Sequence, residues 1–420
     1  MQTGKSDQSV KSVKNTKKEK TDDVIVRQSL DKEAMYGTFV DMKTFQIPDE
    51  SIRVNKLTDL DDVVKKSLVS AGIAPDGKNK SGSFLMYNNT VSHHSTAVDG
   101  LELMPLKDAF KKYDWLAEYS WKLVSPEADK YTAQSYLEDS DGYFIRALAG
   151  KKIQFPIQSC LMIGSEKTMQ TVHNIIIIEE NAELEVITGC VTHDDIKRAL
   201  HIGVTEMYIQ KGAKLTFSMI HNWEEEVEVR PRTGIQIEEN GQLVNNYVCL
   251  KPARSIQTNP TARLVGEGAK AFFNTIAVAH PNSVLDMGSR VFLDAPRTKT
   301  EIISRTITLG GEMISRGDII GNAPEVYGHL ECNGLVLNEK GKQRAIPALE
   351  ANAMNVEMTH EAAIGRIARD QVEYLMSRGL EEGEATGLIV RGFLSAGIEG
   401  IPDELKAEIA DIVKKTENAS

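Results

Sequence analysis

The sequence has no long apolar run and no secretory signal. No segment approaches the roughly 20 consecutive apolar residues that a membrane helix needs, and the first twenty residues are polar and lysine-rich. An exported protein would carry an apolar stretch behind such a basic start. We therefore expect a protein without a membrane span, located in the cytoplasm.

Positive charge is also scarce, because the 420 residues carry a formal net charge of −11. An acidic chain is a poor partner for nucleic acid, which attracts clustered lysine and arginine. Hydrophobic residues make up 41% and charged residues 26%, as is typical of a globular protein with a core. We expect no nucleic-acid partner.

Only four cysteines occur, and no two of them form a C-x-x-C pair. Their spacing disfavours a zinc ribbon or a ferredoxin-type cluster motif. In a reducing compartment, each thiol is either a small buried hydrophobe or a reactive group. The sequence also lacks a P-loop, an H-E-x-x-H helix and a G-x-S-x-G elbow, so we expect neither ATP binding nor a familiar hydrolase.

Turn residues recur at a fixed spacing in the middle of the chain. Short β-branched and apolar runs, such as GAKLTFSMI and NGQLVNNYVCL, alternate with these turns. A fixed period of 20–50 residues is the signature of a solenoid, in which each repeat forms one turn. A β-sandwich with accidental spacing is the alternative. The turn residues, spaced by 31 and then four times by 28, are Asn181, Gly212, Asn240, Gly268, Pro296 and Pro324.

Changes in the residue pattern along the sequence predict four regions. We expect a disordered tail over residues 1–27, an α-rich domain over 28–150, a parallel β-helix over 151–348 and a helical domain over 349–420. Helices are predicted in the second region near Leu57–Ala71 and Pro105–Val124, from apolar residues recurring at spacings of three and four.

The helical period in the last region is predicted to start at Thr359, a suitable N-cap. Gly379 is a suitable C-terminal stop for this first helix. A second helix is expected over EEGEATGLIVRGFLSAG, and a third begins at Pro402.

Two groups of residues have side chains suited to metal or sulfur chemistry. The first is Cys332 with Glu350, Glu357, His360 and Glu361, in which thiolate and imidazole suit iron or zinc. His360 and Glu361 are expected at a helix N-terminus. The alternative is a buried Cys332 and a solvated His–Glu pair.

The second group surrounds Cys190, since a Cys–His–Arg environment lowers a thiol pKa. The alternative is a scatter of polar residues over the faces of strands. Its other members are His193, His201, His221, Trp223, Arg230 and Arg232.

Several segments resemble the core of the SufB/SufD family of iron–sulfur cluster assembly scaffolds. They are ITGCVTHDDIKRALH, HNWEEE, IISRTITLGG, LECNGLVLN and THEAAIGRIARDQVEYLMSRGL, within about residues 150–395. The resemblance implies a right-handed parallel β-helix between an N-terminal and a C-terminal helical domain. It also implies a non-enzymatic scaffold that dimerises, binds two SufC-type ATPase subunits, receives sulfur from a donor and passes a cluster to acceptors.

The resemblance assigns roles to individual residues, and the 28-residue separation of Cys332 from His360 is closer to SufB than to SufD. Cluster ligands are Cys332, His360, Glu361 and Glu350. A sulfur relay runs through Cys190, Trp223, His221 and a basic residue, Arg232. The ATPase binds at Ile364, Ile367, Tyr374, Leu375 and Arg378.

The sequence departs from the family pattern in three ways. It lacks the N-terminal cysteine motif of many SufB proteins, it is shorter, and it has His221 and an arginine where the relay has glutamine and lysine. We interpret it as a minimal homodimeric form. Whether the cluster is 4Fe–4S or 2Fe–2S, whether FADH2 takes part, and whether a paralogue replaces one copy stay open.

Two other functions remain as alternatives at this point. One is a β-helix enzyme that acts on polysaccharides, and the other is a purely structural solenoid that docks an ATPase without binding metal.

Overall fold

The fold is mainly β, as predicted, with its strands coiled into a parallel solenoid. It is seen in a computed structural model that describes residues 21–48, 52–76, 79–193 and 195–395. Two sheets form the opposite walls. Sheet I runs in the order β2 (Thr90–Thr96), β1 (Gly82–Tyr87), β5 (Ile157–Ile163), β7 (Glu183–Thr192), β9 (Lys214–Asn222), β12 (Gln242–Cys249), β15 (Lys270–Ala279), β17 (Lys299–Thr308), β19 (Val326–Val336) and β21 (Val356–Gly365).

Sheet II forms the second wall, and the chain alternates between the two sheets, with sheet II contributing two short strands in place of one at β10 and β11 and at β13 and β14. Its strands pair in parallel from β4 onward, while β3 and β4 are antiparallel. Its members are β3 (Leu101–Pro105), β4 (Tyr143–Ala147), β6 (Met169–Ile178), β8 (Arg198–Ile209), β10 (Glu226–Val229), β11 (Arg232–Ile237), β13 (Ser255–Thr258), β14 (Thr261–Leu264), β16 (Val284–Leu293), β18 (Glu312–Gly321) and β20 (Lys342–Ala351).

The repeated turns explain the period of the sequence. Asn181, Gly212, Asn240 and Gly268 all have positive φ, a conformation that glycine and asparagine adopt most easily. Each of their N–H groups donates to a carbonyl in the corresponding turn of the next coil, for example Gly212 to Glu239. Residues with positive φ also follow Pro296 and Pro324. The turns therefore stack in register, which confirms the predicted solenoid.

Every second side chain along each strand points inward, and these side chains fill the interior. Leu184, Leu215, Leu243 and Ala271 stack on successive strands of sheet I, and all four are buried. The intervening residues face outward. In parallel in-register strands, one side chain from every turn occupies the same column, so each interior column can be followed from coil to coil.

Six α-helices of the described ranges lie on the outside of the walls. They are α1 (Thr21–Gln28), α2 (Asp62–Ser70), α3 (Leu106–Lys112), α4 (Lys130–Leu137), α5 (Arg369–Ser377) and α6 (Glu382–Ser395). Helices α2 and α6 pack on sheet I, where Val390 and Leu394 of α6 join a buried cluster with Ile307 of β17. No helix in the described ranges is long and apolar enough to cross a bilayer.

The N-terminal half differs from its prediction. Residues 21–27 were expected in a disordered tail, yet they form α1, which lies against α4 and buries Val26. The region over 28–150 is mixed and not α-rich, because it contains β1 to β4. The helix predicted over Pro105–Val124 is confined to α3, followed by a short 3-10 turn.

The start of the C-terminal helices was also predicted wrongly. Val356–Gly365 is a strand, because it pairs along its whole length with β19, and this ladder outweighs the local helical pattern. Strands β20 and β21 thus extend the solenoid past residue 348. The first helix begins at Arg369, Gly379 ends it with positive φ, and α6 matches the second predicted helix. The helix expected from Pro402 lies outside the described residues.

Candidate functional site

The last coil of the solenoid, formed by β20 and β21, is open on one side. Each strand pairs with one neighbour only, β18 or β19, among the residues that the structure describes. Ile319 is fully buried, whereas Leu349, directly above it in the same interior column, is 39% exposed. Within the described ranges, the interior and two strand edges are therefore uncovered here, a condition that favours pairing with another chain.

Cys332 lies one strand below this open end. It points into the interior from β19, it is only 2% exposed, and Ala362 of β21 lies directly above it. Burial, with a smaller contribution from the Glu331 carboxylate, raises the pKa of the Cys332 thiol to about 11. At neutral pH the group is therefore a thiol and not a thiolate.

His360 shares the interior face with Cys332. It pairs with Leu330, two residues before Cys332, so the imidazole and the thiol project to the same side of adjacent strands. The Nε2 atom of His360 is buried and has no hydrogen-bond partner in the described part of the chain. Buried polar atoms in proteins nearly always have a partner, so Nε2 is available for one.

The two carboxylates lie elsewhere. Glu361 pairs with Glu331 and faces outward from sheet I, and Glu350 is exposed on sheet II, where it accepts a hydrogen bond from Asn352. His360 and Glu361 are in the middle of a strand, so the predicted helix N-terminus is wrong. The described residues contain no group of three or more His, Cys, Asp or Glu side chains placed to hold a metal ion.

The second predicted group is partly assembled inside the solenoid. Cys190 and His221 face each other on β7 and β9, and the rings of His221 and Trp223 are 5.4 Å apart. The Tyr247 hydroxyl and His221 Nδ1 share a hydrogen bond of 2.6 Å. His221 Nε2 and Trp223 Nε1 are buried and have no partner within the described ranges. Burial, and to a lesser extent Cys160, raises the pKa of Cys190.

His201 completes this interior cluster from sheet II. Its ring lies 5.2 Å from that of Trp223, and its Nδ1 shares a hydrogen bond of 2.8 Å with Gln170 Oε1. Burial lowers the pKa of His201 to about 3. The pKa of His221 is also lowered, first by burial and then by His201. Both imidazoles are therefore neutral at physiological pH.

Arg232 does not line the interior. Ile235 and Ile237 face inward from β11, so alternation directs Arg232 outward. Its guanidinium forms an ion pair of 2.8 Å with Asp129 and donates to Gln257. The predicted role of Arg232 along an interior route is therefore wrong.

One interior residue was missed by the sequence analysis. Cys249 pairs with His221, so Cys190, His221 and Cys249 occupy one column on three successive strands of sheet I. The signal was present in the sequence, because Cys249 follows His221 by 28 residues, one repeat of the turns.

The predicted ATPase-binding residues divide between two elements. Tyr374 is 58% exposed on α5, and Arg378 stacks on its ring at 5.2 Å. Leu375 is half-buried on the same helix. Ile364 lies on β21, and Ile367 follows that strand and packs partly into the cluster beneath α6. Of the five predicted residues, Tyr374 and Leu375 lie on α5 and Arg378 directly follows it, so a partner surface confined to this helix would not include Ile364 or Ile367.

Comparisons with known proteins agree on one family. A family model described as "SUF system FeS cluster assembly, SufBD core domain" matches residues 161–393. An iron–sulfur cluster assembly SufBD family protein of Methanothermobacter thermautotrophicus is 45% identical, over 90% of this chain and 94% of that protein. A relative with the same description from Archaeoglobus fulgidus is 46% identical over 84% and 95%. The iron–sulfur cluster assembly protein SufB of Bacillus subtilis is 28% identical over 84% and 77%.

Proposed function

This chain belongs to the SufB/SufD family of iron–sulfur cluster assembly proteins, and from that premise we propose that it is a scaffold that holds a nascent cluster between two copies of itself. The observation that carries the proposal is the open last coil. Its unpaired strand edges and uncovered interior lie one strand away from Cys332. An unprotected edge of this length is uncommon without a partner.

The ligand chemistry also favours two copies. At the open end, the described part of one chain offers one thiol, Cys332, and one imidazole, His360, on the same interior face, which is too few to complete the coordination of a cluster. A two-fold axis through the open end would double both. Glu361 and Glu350 face outward on the two walls, so they would add oxygen ligands only if the last coil rearranged when the two copies pair. Iron–sulfur clusters favour thiolates, so a set poor in thiolates would hold a cluster weakly and allow its release to acceptor proteins.

Because Cys332 is buried, cluster binding requires a movement that exposes its thiol, and we assign this movement to the partner ATPase. Iron binds a thiolate, and a thiol with a raised pKa under Ala362 resists deprotonation. Two SufC-type ATPase subunits docked on α5 would supply the movement that uncovers it. Helix α6 offers a mechanical connection, because its buried face packs against β17, the strand next to β19.

Sulfur would arrive through the interior. Cys190 lies at one end of the column shared with His221 and Cys249, and we propose that it accepts sulfur from a donor protein. The neutral imidazole of His221 and the indole of Trp223, whose Nε2 and Nε1 atoms have no partner within the described ranges, would provide polar contacts for the sulfur along this route.

The direct test is anaerobic reconstitution of Cys332→Ala with iron and sulfide. We expect loss of cluster absorption and of bound iron and sulfide, while the dimer persists in light scattering. Cys160→Ala is the matched control, since Cys160 is equally buried but faces outward into a separate apolar cluster. Wild-type absorption in Cys332→Ala would remove Cys332 from the ligands, and a wild-type protein that binds the ATPase but never iron would be a structural solenoid instead.

A further inference from the structure

Gly334 provides the space for a glutamine side chain beside Cys332. The two residues lie on the same interior face of β19, about 6.6 Å apart along the strand. A Cβ atom at position 334 would lie 2.6 Å from Gln343 Oε1 and closer still to its Nε2. The carboxamide of Gln343, which enters from β20, therefore occupies the volume of the absent side chain.

The two ends of this carboxamide differ in their partners. Nε2 donates to the Thr306 hydroxyl, which in turn donates to the backbone carbonyl of Asn333. Oε1 is buried and has no partner within the described ranges. A buried carbonyl without a donor costs about 1–3 kcal/mol, so the fold holds an acceptor here that a hydrogen-bond donor would satisfy.

Gln343 also reaches, from the opposite wall, the interior column of sheet I that contains Cys190. Beyond His221 and Cys249, the column continues through Ala277, Thr306 and Gly334. His221, in the same column, is 1% exposed, and its Nε2 is buried without a hydrogen-bond partner in the part of the chain that the structure describes. Within the described residues, buried polar atoms without partners thus lie at two points along this column, His221 Nε2 and Gln343 Oε1, with Cys249, Ala277 and Thr306 between them.

We propose that the Gln343 carboxamide, held on Gly334, is the positioning group for a persulfide on Cys332, with its Oε1 accepting a hydrogen bond from the terminal S–H. This inference rests on the proposed function, since it assumes that Cys332 receives sulfur. The extra sulfur extends the cysteine side chain by one S–S bond of about 2 Å, toward the neighbouring position on the strand. The terminal sulfur of a persulfide would thus extend toward an acceptor with which the shorter thiol forms no hydrogen bond in the described structure.

The test loads Cys332 with inorganic disulfide under anaerobic conditions, in the presence of the SufC-type ATPase and ATP, because on the proposed function the ATPase uncovers this buried thiol. The Cys332 thiolate attacks one sulfur of HSSH, a new S–S bond forms while the old one breaks, and hydrosulfide leaves, so no oxidant is needed. Excess reagent is removed, and the fraction of Cys332 that carries an additional sulfur atom is followed by mass spectrometry of alkylated peptides in the full-length protein.

Three substitutions distinguish the loss of the hydrogen-bond acceptor from a change in the packing around Gln343. Gln343→Leu removes the acceptor and should release the sulfur about five- to tenfold faster, the equivalent of one net hydrogen bond. Gln343→Glu keeps an oxygen but loses the N–H donated to Thr306, so it should retain the sulfur as the wild type does. Gly334→Ala displaces the carboxamide and should behave like Gln343→Leu. Gly328→Ala is its control, since a Cβ there meets Ile319 at 2.8 Å instead.

Two results would overturn the inference. Equal retention in Gln343→Leu and wild type would exclude a role for the acceptor, and equal loss in Gln343→Glu and Gln343→Leu would assign the effect to packing around Thr306. A wild-type protein that gains no sulfur at Cys332, yet loses its cluster in Cys332→Ala, would reject the inference while the scaffold function stands.

Discussion

The interior histidines should make the fold sensitive to mild acid. His201 is 1% exposed in the described structure, and burial lowers its pKa from 6.5 to about 3. In the unfolded chain His201 has its ordinary pKa of 6.5. Between pH 6.5 and 3 the unfolded chain therefore binds a proton at His201 that the folded chain does not bind. Stability is thus complete above pH 6.5 and falls as the pH drops from 6.5 toward 3, because the unfolded state binds more protons in that window.

The magnitude follows from the two pKa values. At pH 5.5, one unit below the ordinary value, the unfolded histidine is about 90% protonated, and this favours unfolding by about 1.4 kcal/mol. At pH 7.5 the same contribution is below about 0.1 kcal/mol. His221 has the same direction of shift and adds to the effect.

Urea unfolding followed by circular dichroism at pH 7.5 and 5.5 measures this dependence. In His201→Gln, which cannot titrate, the loss of stability between the two pH values should be smaller than in wild type by about 1.3 kcal/mol. Trp223→Phe is the matched control, because it disturbs the same cluster without removing a titratable group and should lower stability equally at both pH values. Identical pH dependence in His201→Gln and wild type would refute the reasoning.

Three further predictions concern other parts of the chain. Glu206 is fully buried and accepts hydrogen bonds from the backbone N–H groups of residues 121–123. Glu206→Gln should therefore lower the free energy of unfolding, measured by urea titration, by about 2 kcal/mol. An unchanged unfolding midpoint would contradict this. Gly268 turns with a φ of +71°, so Gly268→Ala should destabilise by about 1 kcal/mol, whereas Gly365→Ala, which meets no atom within 4 Å, should not. Cys190→Ala should keep chemical cluster reconstitution but lose assembly driven by a cysteine desulfurase; equal loss in both assays would make Cys190 structural.

Local sequence patterns predicted the solenoid because its repeat depends on the backbone conformation of individual turn residues. Asparagine and glycine at 28-residue spacing specify left-handed turns, and alternation in segments such as Leu215–Met219 specifies a two-faced strand. The motifs around Cys332 and His360 likewise identified the family before any contact was known.

Local patterns failed where distant strands decide the conformation. Residues 359–365 have a helical spacing of apolar side chains, yet pairing with β19 makes them a strand, and pairing of β1 with β5, some 75 residues along the chain, makes Gly82–Tyr87 a strand. Such ladders join segments that are too far apart in the sequence for a local pattern to relate them.

The sequence by itself determined the turns, the repeat length and the chemical types present at the candidate site. Only the tertiary structure decided which of two faces each strand turns inward: it put Arg232 outside, united Cys249 with His221, and placed Gln343 beside Cys332. The physical reason is that side chains alternate strictly along a strand, so a one-residue change of register exchanges interior and surface. That register is fixed by the neighbouring coils and not by the strand itself.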